Sequence, residues 1–250
     1  MNLLVIICII ILAFVCEYLD SSLGMGYGTI LSPLLLIFGF DPLIIIPSIL
    51  ISQSLAGFVA SIFHHKLGNA NFNIKQKDLK ISLVIITFGL SASILAVFVS
   101  ISIDIIFIKT YISILVLVVG SILLLNRKFN FSWKKIMGIS VISAFNKSLS
   151  GGGFGPIVTS GQIISGNDSK CSIGITTFTE APICICGFIT YFLLNGIIDP
   201  VIPIIMTFGA LLATPLGAFS TMKLNEKKGR KIVGILTIIL GVFILFKIFI

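Results

Sequence analysis

"DSSLGMGYGT", residues 20–29, sets glycines at 24, 26 and 28 behind a lone aspartate, between two runs of isoleucine and leucine. "KSLSGGGFGP", residues 147–156, is much the same string again, with lysine where the aspartate stood. A shift of 127 positions lays Ser21 on Ser148, Gly24 on Gly151, Gly26 on Gly153, Tyr27 on Phe154 and Gly28 on Gly155, without a gap. The same shift carries Gly39 onto Gly166, Asp41 onto Asp168 and Gln53 onto Glu180. Glycines alone could match by chance in a glycine-rich chain. A carboxylate and its amide isostere in register as well point to an internal duplication, with halves at 1–126 and 127–250.

The composition decides the solvent. Hydrophobic residues make up 57% of the 250 and charged residues only 10%, with a mean hydropathy of +1.18. A soluble domain carries about a quarter charged residues. Runs such as 81–101, 105–125 and 232–249 are long enough to cross the roughly 30 Å hydrocarbon layer as helices. The alternation of a membrane barrel is absent. The expected fold is an all-α polytopic protein of the cell membrane. Residues 3–19 have no basic run before them and read as structure rather than as a cleaved signal. The five cysteines (Cys8, Cys16, Cys171, Cys184, Cys186) lie in or beside apolar segments and read as small core residues. No cluster has zinc spacing and no Ser-His-Asp set is visible, so neither metal nor cofactor is expected.

Each half holds five apolar segments: 3–19, 23–38, 43–63, 80–101 and 104–125, then 136–148, 152–165, 171–194, 199–222 and 232–249. The first two of each half are the shortest, short or re-entrant around the glycine motif. Interrupted segments at matching places in two halves are the best sequence pointer to a transport site.

Charge sets the orientation. Of 17 Lys and Arg, four lie in 64–80, four in 126–135 (Arg127, Lys128, Lys134 and Lys135) and five in 223–231. The positive-inside rule puts all three loops in the cytoplasm. That requires each glycine-flanked pair to enter and return to its starting side. The halves are then inverted relative to each other, with both termini outside. The basic residues are a topology signal, not a nucleic-acid surface.

Broken helices leave backbone N–H and C=O groups that lipid cannot satisfy, so they must face protein or a watery cavity. Two helix N-termini meeting there would make an anion cradle from Gly24, Gly26, Tyr27 and Gly28 and from Gly151, Gly152, Gly153, Phe154 and Gly155. The alternative is that the glycines only permit close helix packing. A dinucleotide loop is excluded by the missing strand–helix unit.

Ionisable residues inside apolar segments are functional candidates by default. They are Glu17, Asp20, Lys147 and Glu180. Asp20 and Lys147 hold equivalent places, so a salt bridge between them across the axis is expected. It either locks the hairpins together or lends Lys147 to the anion. Glu180, opposite Gln53, either carries a coupling proton or makes a structural hydrogen bond to Gln53. His64 and His65 open a basic loop, either as gate and proton entry or as a solvated stretch.

"DSSLGMGYGTILSPLLLIFGFDPLIIIPSILISQ", "NKSLSGGGFGPIVTSGQIISGNDSKCSIGITTFTE" and "HHKLGNANF" resemble the TauE/SafE sulfite exporter family, also called the toluenesulfonate uptake permeases. The resemblance covers nearly the whole chain. It implies a secondary transporter of a small anion: a sulfur oxyanion, an organosulfonate or a related carboxylate. It also implies that the motif glycines with Gln53, Gln162 and Glu180 line the pathway. A proton or sodium ion is the expected coupling partner and the bilayer the expected surroundings. Oligomeric state is left open. The rival classes are an anion channel, which would not saturate, and an integral-membrane enzyme, which would need a reactive constellation at one face.

Overall fold

The structure, a computed structural model, describes residues 2–124, 132–164, 167–196, 199–221, 223 and 226–249. Among them are ten helices and no strand: α1 Leu3–Leu23, α2 Tyr27–Ile37, α3 Pro42–Lys66, α4 Lys77–Ser102, α5 Ile105–Leu124, α6 Trp133–Ser150, α7 Phe154–Ile164, α8 Ser169–Asn195, α9 Val201–Ser220 and α10 Glu226–Phe249. Each answers to one expected segment. Arg127, Lys128, Gly166 and the boundary between the halves lie outside the described residues. Six helices (α1, α3, α4, α5, α8 and α9) are long and apolar enough to cross a membrane. The chain is a multi-pass membrane protein.

One expectation needs correcting. The first segment is not short, because α1 runs for 21 residues, through Asp20 to Leu23. Only α2 and α7 are short, at 11 residues each, about half the hydrocarbon thickness. The apolar run stops at Leu19, but the helix continues, and the hydroxyls of Ser21 and Ser22 are satisfied within it by Glu17 and by the Leu19 carbonyl. Gly24 ends it, taking the left-handed C-cap at φ 69° while its N–H bonds to Asp20 O. The chain then doubles back. A Cβ built on Gly26 would lie 3.1 Å from Leu19 Cβ and 3.4 Å from Cys16 O, so α2 starts level with the last turns of α1.

Helix directions follow from the contacts. Gly209 packs against Ala13 and Gly217 against Tyr18 and Ser21, so α1 and α9 run parallel. Gly89 packs against Ala144, and Ser93 bonds to Ser148, so α4 and α6 run parallel too. Gly234 meets Leu123 and Gly241 meets Val116, which makes α5 and α10 antiparallel. Asn69 Nδ2 donates to Ala218 O (2.9 Å) and Lys77 Nζ to Asn167 Oδ1 (3.2 Å). The described parts of the three basic segments therefore gather at one end of the bundle. Asn2, Ile37 and Lys247 lie at the other, where Lys247 Nζ donates to Ile37 O (2.6 Å).

The main helix pairs map onto one another when each helix is exchanged for its counterpart five places along. α1–α9 becomes α6–α4, α3–α9 becomes α8–α4, and α3–α8 and α5–α10 return to themselves. Large side chains such as Ile11, Leu95, Phe107, Leu193 and Phe208 are exposed on the outer faces, where lipid is the solvent. Serine, threonine, glycine and alanine crowd the interior, where backbones must approach closely.

Candidate functional site

The two glycine motifs meet backbone to backbone. A Cβ on Gly28 would overlap Gly151 O, and one on Gly155 would overlap Gly24 O. Gly152 presses on Gly28 O in the same way. Hydroxyls seal the joint reciprocally: Ser32 Oγ donates to Ser150 O (2.7 Å), and Thr159 Oγ1 donates to Gly24 O (2.7 Å). Each second helix thus satisfies a carbonyl left open at the end of the opposite first helix. Gly153 N–H donates to Thr29 Oγ1 (3.2 Å). Close packing is therefore one job of these glycines, and in this conformation it closes the tips on each other.

Beneath the tips runs a chain of four side chains. Lys147 Nζ lies 2.7 Å from Glu180 Oε1 and donates to Gln53 Oε1 (2.9 Å); Gln53 Nε2 donates to Asp20 Oδ2 (2.7 Å). Asp20 Oδ1 accepts the N–H of Tyr27 at the start of α2 (3.2 Å). Relative exposure is 3% or less for all four side chains. The amide orientation of Gln53 follows from its partners, since only its oxygen can accept from an ammonium and only its nitrogen can donate to a carboxylate.

This arrangement corrects two expectations. Asp20 and Lys147 make no direct salt bridge, because Gln53 stands between them. Nor does Glu180 bond to Gln53; it takes the lysine, and Gln53 takes the aspartate. The reason is register. Asp20 and Gln53 are the same distance apart in sequence as Lys147 and Glu180, so each half makes its own pair and one lysine–amide bond joins them. Asp20 also fills the seat at the α2 N-terminus where an external anion was expected. Lys147 Nζ reaches that same turn, 3.0 Å from where a Cβ of Gly28 would be.

The remaining candidates divide. Tyr27 and Phe154 are buried, and the Tyr27 hydroxyl is 2.8 Å from Ser52 Oγ. Gln162 is buried but lies apart from the four-residue chain, its Nε2 3.3 Å from Thr176 Oγ1. Thr176 leads back to the tips through Thr159, at 2.8 Å. His65 is exposed on the last turn of α3, where its Nδ1 accepts the Phe72 N–H (3.3 Å). His64 is not: it is buried at the end of α3, with Nδ1 3.1 Å from Asn69 Nδ2. Sequence reading missed Thr159 and Thr176. The spacing of Ser172, Thr176 and Glu180, four residues apart on one helix face, was the available signal.

The family model described as "Sulfite exporter TauE/SafE" matches residues 9–244. The chain belongs to that family. It is also 28% identical over 166 residues to a protein of Bacillus subtilis (strain 168) described as "Probable membrane transporter protein YtnM". That match covers 60% of this chain and 53% of the relative, so the chain spans about half the length of the curated relative it matches. No solved structure matches.

Proposed function

We propose that the protein carries a small oxyanion, such as a sulfur oxyanion, an organosulfonate or a related carboxylate, across the cell membrane by alternating access. The observation that carries this reading is Lys147, an ammonium buried beside the first turn of α2 and held by Glu180 and Gln53. An incoming oxyanion replaces the Glu180 carboxylate on Lys147, while hairpin separation frees backbone N–H groups at the tips. The two halves act as inverted repeats, a reading supported by the reciprocal tip contacts and the exchangeable helix pairs. Each half then gates one side, with both termini outside. A proton or sodium ion accompanies the anion.

Purified protein titrated with sulfite, thiosulfate, sulfate, methanesulfonate and acetate tests this. One class of anion should raise the melting temperature by several degrees, since a ligand at 100 times its Kd adds about 2.7 kcal/mol. Lys147→Met should lose that shift, and so should Lys147→Met with Glu180→Gln, in which no buried carboxylate is left without its cation. Saturable counterflow in proteoliposomes should follow, which a channel would not give. Stabilisation by none of these anions, or equal stabilisation of Lys147→Met, would overturn the proposal.

A further inference from the structure

Glu17 takes no part in the four-residue chain, yet it is fully buried on α1. Oε1 accepts the Ser21 hydroxyl at 2.6 Å, and Oε2 has no partner. The ionisable groups near enough to interact with its charge are Cys16 and Asp20 on its own helix, Tyr27 on α2, Lys147 on α6, and Glu180 and Cys184 on α8. His64 of α3 stands by the Ser21 backbone, and α9 carries no ionisable side chain.

Charge counting isolates Glu17. Three buried carboxyls (Glu17, Asp20 and Glu180) share one buried ammonium, Lys147. Asp20 has donors on both oxygens, and Glu180 has the lysine. Glu180 Oε2 is also unpartnered, but Glu17 alone has neither a cation nor a second donor, and a buried ionised carboxylate without either is the costliest arrangement of the three. An oxyanion on Lys147 would add a further negative charge to the same cluster.

We infer that Glu17 is a proton-binding site, and that its proton is occluded together with the transported anion. The coupling half of this inference rests on the carrier reading above; the proton site itself does not. Burial suits the role, since a carrier must seal its coupling ion from both sides at once. The proton enters and leaves only when the first hairpin parts from its neighbours.

Infrared difference spectra of the reconstituted protein, acid minus alkaline and without any anion, test the site directly. Wild type should show the carbonyl band of a buried protonated carboxyl. Glu17→Gln should lose that band. Ser21→Ala, which keeps the carboxyl and removes its hydrogen bond, should move the band to higher frequency, and this second variant guards against misfolding of the first. A band that survives Glu17→Gln, or vanishes only in Glu180→Gln, would sink the inference. Transport supplies the second arm, with methanesulfonate and thiosulfate as probes. Glu17→Gln should exchange the anion at the wild-type rate and lose accumulation driven by a pH gradient. Undiminished accumulation would overturn coupling through Glu17. Absence of exchange by wild type would defeat the carrier reading alone, and the infrared arm would still decide the site.

Discussion

The two hairpin tips share one backbone design and carry opposite charge. In the first, Asp20 reaches forward to the Tyr27 N–H and so occupies the positive end of α2 with the protein's own carboxylate. In the second, the equivalent position is Lys147, which turns away from its own tip to Glu180 and Gln53. The joint is reciprocal in its backbone contacts, and the differing residues at positions 20 and 147 make it electrically polar. In the carrier proposed above, the symmetry would supply a pair of gates and the asymmetry the charge that selects an anion. A fully symmetric pair of aspartates would repel anions, and a pair of lysines would leave the one at position 20 without a carboxylate, since Glu180 already holds Lys147.

The comparison can be broken most forcefully at the lysine. Lys147→Ala leaves Glu180 buried without a cation and should cost about 3–5 kcal/mol, read as a collapse in melting temperature or expression. Adding Glu180→Gln should recover part of that loss. The charge swap, Asp20→Lys with Lys147→Asp, sharpens the point. Because Lys147 pairs with Glu180 rather than with Asp20, the swap sets an aspartate against Glu180 and should be no better than Lys147→Asp alone. Recovery in the swapped protein would show that the two tips do pair directly.

Backbone contact at the joint comes next. Gly28→Ala and Gly155→Ala each push a methyl into the opposite tip and should each cost about 1–3 kcal/mol by thermal denaturation, in similar measure. A large effect at one and none at the other would mean that the joint is not reciprocal. The smallest expected effect is at the sealing hydroxyls. Ser32→Ala and Thr159→Val each remove one hydrogen bond to a tip carbonyl and should each cost about 1 kcal/mol in the same assay. A several-fold difference between them would argue that the two seals are not equivalent.

Much of this fold was legible because the signals are local. Hydropathy runs located all ten helices, since a membrane demands long apolar stretches wherever a helix faces lipid. Glycine spacing marked the two tips, and the shift of 127 marked their relation. The end of α1 was not legible. Ser21 and Ser22 look like a break in composition, but both lie buried within α1, where their hydroxyls find acceptors one turn back on the same helix. His64 was misplaced for a similar reason: it adjoins a basic stretch in sequence, yet faces inward at the last turn of α3.

By itself, the sequence determined the membrane class, the ten helical segments found among the described residues, the two matching glycine motifs and the short list of buried ionisable residues. Each of these depends on composition or on spacing along one chain. Only the tertiary structure decided which of those residues touch. Asp20, Gln53, Lys147 and Glu180 come from four different helices, and the partner of each is set by which side chain lies within hydrogen-bond reach across helices packed in three dimensions. A matched repeat position said that Asp20 and Lys147 are equivalent. It could not say that an amide would stand between them.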